Sequence, residues 1–501
     1  MQQLRSTIQP LPMVLAMAFV FHWLFWEEGM GLNLLLFNAL MVALLWFLYP
    51  ETFKKIQTRG VLMGTFFTGA MVIWHNSGVS KVVNLASLTL LAGFCQNIRL
   101  RSVPFAFAQS GLGLIQVPLS FRRELGKLSV GPWWLKKSLS YLKLIGIPLA
   151  ALSVFTGIFL IANPKFSSLS QEYLGHIEEW VAQWSVGSFL FWCLGVLVMG
   201  GLLLNQHRDK LSEREAGQRD QLLRTRRKHQ VNFPFLALKN EYRTGLMLML
   251  SVNLLLLVNN LIDIDWIWIN FEPGPGFDLT QFVHEGTYLL IMSILLSMGI
   301  MLYYFRGNLN FYSRSRWLKG LSYAWIAQNV VLVISVAMRN YHYIAEGGLA
   351  YKRIGVFFFL ALVVFGLFTL WLKIRDRMST YYLFRVNAWA VYGIAMLLCV
   401  VSWDRVISDF NLTHGEPGQL DRKFLMEMTE AALPSILEHR DLFEAPITNP
   451  NPYKSQLTYK IKQFHQAQEN HTWRSWNYDD QRVARYLDAH YLELKQAGYE
   501  K

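Results

Sequence analysis

The segregation of charge along this chain limits its fold more than any other feature. Residues 31 to 50 and 354 to 372 carry no charge at all, whereas residues 206 to 243 are crowded with it. One helical crossing of a bilayer needs about 20 mostly apolar residues. A water-soluble core does not separate its charges on that scale. Composition agrees, because AVILMFWYC supply 53% of the residues and DEKR 16%, against the roughly 25% charged that is usual in a soluble domain. The expected fold is all-α, a polytopic transmembrane helix bundle.

Apolar runs of the required length place about eleven spans near 11–26, 31–50, 60–76, 80–97, 138–162, 184–205, 244–264, 283–304, 318–338, 354–373 and 383–402. Lys and Arg in the intervening loops set the orientation, since cytoplasmic loops accumulate them. Alternate loops hold 28 on one side and 5 on the other. The expected arrangement puts the N-terminus in the cytoplasm and the C-terminal tail on the opposite side. Only Arg5 precedes the first apolar run, and the small-residue pattern at Ala16 and Ala18 follows too few apolar residues for a cleaved leader. An uncleaved first span is expected.

Segment 103–121 is long enough to cross, but it contains Pro104, Pro118, Gly111, Gly113, Gln109 and Gln116. It reads as a re-entrant or interfacial element, and the whole orientation rests on its not crossing. Residues 168–184 place Leu169, Tyr173, Ile177, Trp180 and Trp184 on one helical face, as an amphipathic helix in the interface would. The basic loop 206–243 serves as an orientation signal. Three regions follow: an N-terminal half, 1–240, of about six spans; a C-terminal half, 241–402, of about five; and a helical extracytoplasmic tail, 403–501. Within the tail, short helices are expected at 421–431, 435–443, 455–469 and 478–497, with breaks at Pro434 and at Pro446, Pro450 and Pro452.

The net charge of +13 belongs to the cytoplasmic loops, so nucleic acid is not an expected partner. Cys95, Cys193 and Cys399 all fall within apolar spans, where a cysteine behaves as a small apolar residue. Asn411-Leu-Thr413 and Asn470-His-Thr472 match a glycosylation acceptor pattern, which is short enough to arise by chance.

Several spaced motifs in the second half carry a resemblance. Phe282-Val-His-Glu285-Gly286 opens a span. Arg339, Tyr343, Ile344, Gly348, Leu349 and Arg353 follow the spacing Arg-x3-Tyr-Ile-x3-Gly-Leu-x3-Arg, and Asp409-Phe-Asn411 and Trp473-Arg-Ser-Trp476-Asn477 lie in the tail. From about residue 240 to 485 the chain resembles a family of bacterial multi-pass membrane proteins known as a domain of unknown function. His284 stands where that family usually has arginine, and Ala350 where it commonly has threonine. The resemblance implies a bacterial cytoplasmic (inner) membrane location, and no reaction.

The expected topology gathers Asp263, Asp265, His284, Glu285, Arg339, His342, Glu346 and Arg353 at the outer ends of four spans. They form a candidate polar vestibule, since ionisable groups in a span are costly and mark substrate or proton routes. The same residues read equally as a clamp: Glu285 in a first turn and Arg339 in a last turn each complement a helix dipole, and the two could pair. Asn253, Asn259, Asn260, Gln328, Asn329 and Asn387 lie deeper, either as hydrogen-bonding glue between helices or as the lining of a path. Trp473, Arg474, Trp476 and Asn477 form a candidate tail surface, for stacking or for docking the tail onto the bundle.

No phosphate-binding glycine loop, no second histidine after His284-Glu285 and no ligand-like histidine spacing occur, so no catalytic motif, cofactor or metal is called for. Three classes of function stand open: a transport or export component with a polar outer vestibule; a membrane scaffold or signalling partner, binding proteins through its tail and its basic cytoplasmic loop; and an envelope enzyme acting on lipid-linked or glycan substrates. The lipid bilayer is the one partner common to all three.

Overall fold

The computed structural model describes residues 10–121, 186–204, 209–224, 238–272, 279–415, 420–444 and 452–499, with isolated positions between 148 and 166. The chain is built from helices, as its sequence pattern dictates; one isolated bridge pairs Gln221 with Met378. Ten of the eleven expected spans coincide with helices. The eleventh, 138–162, and the amphipathic segment 168–184 lie outside the described residues apart from isolated positions.

Among the described residues, five helices are individually long and apolar enough to cross a membrane, or six when one bent pair counts as a single span. Four shorter apolar helices, Leu11–Phe25, Leu32–Leu48, Val103–Ile115 and Gly187–Leu203, accompany them. In the span Leu238–Ile269 only 22% of the most apolar window is buried, and Met247, Leu255 and Leu261 lie bare on its surface. An apolar surface of that extent is untenable in water and ordinary in lipid. This is a multi-pass membrane protein.

The described residues divide into two compact units. The first comprises Met1–Leu100, Phe105–Ser212 and Glu469–Asn477. Its helices are α1 (Pro10–Phe25), α2 (Leu32–Leu48), α3 (Ile56–His75), α4 (Gly78–Gln96), α5 (Val103–Ile115) and α6 (Val186–Leu203). Small and polar residues hold them together, as expected where lipid removes the hydrophobic drive between helices. Asn38 on α2 donates to Asn84 on α4 at 3.1 Å, and Asn84 donates to Thr65 O and Thr68 Oγ1 on α3 at 2.9 and 3.0 Å. The turn between α3 and α4 uses Asn76 in the left-handed region, with φ 47°, followed by Ser77, whose hydroxyl caps α4 by accepting from Ser80 N; both are the residue types such ends favour.

Helix α5 covers the first part of segment 103–121. Its thirteen residues rise about 20 Å, short of the roughly 30 Å hydrocarbon core. The helix breaks at Gln116, whose amide donates to Gly113 O, before resuming to residue 121. Close backbone packing seats it: a Cβ on Gly93 would lie 2.1 Å from Ala106 O, and one on Gly113 would lie 2.8 Å from Gly201 O.

The second unit comprises Arg101–Pro104, Glu213–Gln468 and Tyr478–Lys501. Its long helices are α8 (Leu238–Asp263), α9 (Leu279–Tyr304), α10 (Ser315–Gly347), α11 (Tyr351–Asp376) and α12 (Thr380–Leu398), preceded in sequence by α7 (Asp209–Ala216), which belongs to this unit from Glu213 onward. A core of Met249, Ile294, Met301, Leu318, Trp325 and Leu370 joins the long helices. At one end the last turn of α7 and the segment after it are fastened to α12. Buried Glu215 accepts from Arg101 N at 2.9 Å and Tyr381 Oη at 2.6 Å, and Asp220 pairs with Arg385 at 3.0 Å. Lys373, placed by sequence among the loop charges, is fully buried and donates to Met378 O at 2.9 Å, closing the C-terminus of α11 beyond the left-handed Arg377.

After α12 the chain bends by 60° into α13 (Trp403–His414), which begins at the expected start of the tail but is not among the helices expected in it. The tail continues through α14 (Arg422–Met426), α15 (Leu433–Glu438), α16 (Asp441–Glu444), α17 (Pro452–Asn470), α18 (Tyr478–Ala489) and α19 (Tyr491–Gln496). Except for α17, which is longer than the expected 455–469, these pieces are shorter than expected. Pro434 and Pro452 open helices rather than interrupt them, because the missing N–H of proline costs nothing in a first turn. The tail in this unit has its own core of Ile407, Leu425, Leu433, Ile436, Leu457, Ile461 and Val483, which also takes in Ile354 of α11.

Candidate functional site

Helix α8 widens into a single π-helical stretch, Ile264–Ile269. Such turns interrupt regular α geometry and recur at functional positions. Asp263, the last residue before it, meets Arg339 of α10 at 2.8 Å, with side chains only 4% and 9% exposed. Gly286 of α9 makes the room: a Cβ there would lie 2.9 Å from Arg339 Nη1. Asp263 is thus one partner of Arg339, and the expected pairing with Glu285 falls on a side chain outside the described residues. Helix α9 carries His284 and Glu285, but their side chains lie outside the described residues. Asp265 accepts from Asn270 Nδ2 at 3.2 Å. His342 stacks on Phe271 with centroids 4.3 Å apart and has Nε2 3.4 Å from Ile267 O. Asp263, Asp265, Arg339 and His342 are thus drawn into the structure around the π-helical stretch.

Glu346 and Arg353 belong to a different feature. The α10–α11 turn passes through Gly348 at φ +76°, a conformation that suits glycine. Asn411 of α13 grips this turn, accepting from Leu349 N at 2.6 Å and donating to Leu349 O at 2.9 Å. Close approach matters too, because a Cβ on Gly348 would lie 2.7 Å from Asn411 Oδ1. Arg353 donates to Gly348 O and lies 3.8 Å from the centroid of the Tyr343 ring, a cation–π distance. Asn340 Nδ2 donates to Arg353 O at 2.9 Å. Tyr351 Oη donates to Asp404 at 2.5 Å, and the Thr429 amide donates to the other oxygen of Asp404 at 3.1 Å, stitching the tail to α11.

Between this turn and the tail helices lies a cleft of about 480 Å³. Its polar lining includes Glu346, Arg353, Asn411, His414 and Asp421, with Phe410 and Phe424 as aromatic walls. Asp421 is engaged in capping α14 through Phe424 N at 3.0 Å, and His414 stacks on Phe410 with centroids 4.7 Å apart. Among the described residues no carboxylate pairs with the Arg353 guanidinium, and no cation pairs with Glu346. Two opposite charges share the cleft without meeting each other.

The tail motif Trp473 to Asn477 is docked within the first unit, against the loop between α1 and α2. The Glu28 carboxylate, 3% exposed, pairs with Arg474 at 2.7 Å and accepts from Thr472 N at 3.2 Å, Thr472 Oγ1 at 2.7 Å and Ser475 Oγ. Burial pushes this carboxyl up, but the hydroxyls of Ser475 and Thr472, the Thr472 amide and Arg474 together outweigh it, so the net shift is downward. Leu32 N donates to Trp476 O at 3.0 Å. Gly31 permits the contact, since a Cβ there would lie 2.4 Å from Ser475 O. Asn477 is buried, while Trp473 and Trp476 remain exposed.

The family profile described as "Domain of unknown function (DUF4153)" matches residues 36–439. The chain belongs to the DUF4153 family. No curated protein and no solved structure matches it. The DUF4153 match begins far ahead of residue 240, so the first half, whose apolar spans carry few spaced polar signatures, is as much a part of the family as the second. It ends before Trp473, leaving the docked motif beyond it. The Arg-x3-Tyr-Ile-x3-Gly-Leu-x3-Arg spacing of the DUF4153 chain acquires a physical reading: Arg339 pairs with Asp263, Tyr343 underlies Arg353, and Gly348 and Leu349 receive Asn411.

The deep amides of this DUF4153 bundle bond chiefly across helices. Gln328 donates to Asn253 Oδ1 at 2.8 Å, Asn253 to Leu321 O at 3.1 Å, and Asn260 to Gln328 O at 3.0 Å, joining α8 to α10. Asn387 donates to Thr369 Oγ1 at 2.8 Å, joining α12 to α11. Asn329 turns back onto Trp325 O at 2.8 Å, and Asn259 Nδ2 is buried without a partner among the described residues. Among the described residues, no three His, Cys, Asp or Glu side chains converge as a metal site would require.

Proposed function

We propose that this protein is a ligand-binding membrane scaffold or signalling partner of the bacterial inner membrane, with its N-terminus in the cytoplasm and its tail outside. The tail-covered cleft is its recognition site. The observation that carries this reading is the cleft of about 480 Å³ in which Arg353 and Glu346 have no ion-pair partner among the described residues. A small polar ligand bearing an anionic and a cationic group satisfies both, while Asn411 and the aromatic walls Phe410 and Phe424 supply orientation, the usual division of labour in a pocket. The interhelical bonding of Asn253, Asn260, Gln328 and Asn387 supports a binding role over a conducting one. The loop charge ratio of 28 to 5 supports the orientation. The lipid bilayer surrounds the bundle, and protein partners engage the tail.

Calorimetric titration of glycerophosphoethanolamine into the full-length protein in lipid nanodiscs tests the reading. The expected result is one saturable site in the wild type, lost in Arg353→Gln and Glu346→Gln. Glu346 is exposed and makes no described contact, so its variant folds normally. Absence of saturable binding in the wild type, or binding that both variants retain, contradicts the proposal.

A further inference from the structure

One face of α1 carries Leu15, Phe19 and Trp23, which are 39%, 65% and 50% exposed. Residues four apart stand above one another on a helix, each step rising about 6 Å, so the three form a continuous apolar stripe toward the end of α1 at Phe25. In a membrane bundle such a stripe faces lipid. It does not stop at the helix end. The Trp473 ring stands edge-on to Trp23 with centroids 6.4 Å apart and is itself 58% exposed, and nearby in the same docked motif Trp476 is 44% exposed. Trp473 thus extends the lipid-facing stripe by one ring, although it comes from the far end of the chain.

Trp473 is not free to choose its depth. Arg474, its neighbour, is held by Glu28 at 2.7 Å, donates to Trp23 O and lies 5.4 Å from the Trp23 ring centroid. The guanidinium charge is neutralised and only 19% exposed, so the exposed part of the motif is aromatic. Tryptophan is the residue that settles at the boundary between acyl chains and headgroups, with its ring in the apolar zone and its N–H toward the polar one.

From the stripe, its end at Phe25 and the pinned indoles, we infer that Trp473, with Trp23 beneath it, is an interfacial anchor. The tail returns to the bilayer and inserts Trp473 among phospholipid headgroups and the adjoining ester groups. The occupant of this surface is lipid. The cleft plays no part in this inference.

The test uses full-length protein with Cys95, Cys193 and Cys399 replaced by alanine, in nanodiscs of phosphatidylethanolamine and phosphatidylglycerol. A nitroxide is attached at Phe19→Cys, Trp23→Cys or Trp473→Cys, and its collisions with oxygen, which favours lipid, and with a water-soluble nickel chelate are compared. The oxygen-to-nickel ratio is expected to fall in the order 19, 23, 473, yet at 473 to remain several-fold above that of the same label in water. A ratio at 473 equal to that in water overturns the inference, because the ring then faces solvent. Exclusion of both reagents at 473 overturns it equally, because protein then covers the ring. Since substitution at 473 removes the indole, the quenching of tryptophan emission by lipids brominated near the ester groups is also measured for wild type and Trp473→Phe. A lipid-inserted Trp473 makes the wild-type loss larger; an equal loss contradicts insertion.

Discussion

Asp263 and Arg339 show what a single polar residue costs and gains at the end of a membrane helix. The pair is almost fully withdrawn from solvent, and removing one partner of a buried pair leaves an uncompensated charge at a cost of about 3–5 kcal/mol. Asp263→Leu or Arg339→Leu alone is expected to lower thermal stability strongly, whereas the double change Asp263→Leu with Arg339→Leu costs less than the sum; additive losses in that cycle would show that the pair is not coupled. Glu28 makes a second residue-level prediction. Its folded pKa lies below the ordinary 4.5, so its clamp contributes stability that is fully present above the unfolded value and is lost as pH falls through the folded one. Melting between neutral pH and pH 4 and below should show the wild type losing more stability than Glu28→Gln; parallel curves would remove the carboxylate from the clamp. Sequence spacing was enough to single out Arg339, Arg353, Gly348 and Asn411. It could not name Glu28 as the partner of Arg474, because the two stand at opposite ends of the chain and no local periodicity links them. Helix-dipole reasoning offered Glu285 to Arg339 and did not name the pair with Asp263, because it sees only the ends of helices and not the π-helical stretch that follows Asp263.

Helices were the most legible level, since a run of apolar residues long enough to span is a strong local signal. Ten expected spans found helices, including α3, whose buried Thr58, Thr65 and Thr68 dilute its apolar character. The tail was less legible. Its pieces, such as Arg422–Met426 and Leu433–Glu438, are too short for periodicity to resolve, and they owe their stability to the shared tail core rather than to intrinsic propensity. The N-terminus of α11 carries a test at this scale. Ala350 occupies the cap position in extended geometry and supplies no side-chain hydrogen bond, in the place where the resemblance led us to expect threonine. A capping hydroxyl is worth about 0.5–2 kcal/mol relative to alanine. Ala350→Thr is accordingly expected to raise the melting temperature in detergent or nanodiscs, and a neutral or destabilising result would mean that the cap amides are already satisfied another way.

Across the whole molecule, lipid supplies the solvent, glycine contacts and amide bonds supply cohesion, and the tail supplies the chemistry. Neither compact unit relies on a deep charge in mid-span among its described residues, and in the second unit Arg353 and Glu346 line the cleft where the tail meets the α10–α11 turn. The sequence indicated that this turn mattered but not that it formed one wall of a cleft, because His414, Asp421 and Phe424 enter only through the packing of helices too short to foresee. The most direct test of a ligand-binding role is a cryo-EM map of the full-length protein in nanodiscs, determined with saturating glycerophosphoethanolamine. The expected map has density in the cleft bridging the Arg353 guanidinium and the Glu346 carboxylate. A cleft that stays empty while density gathers along Asn253, Asn260 and Gln328 would contradict it and point to a path through the bundle instead.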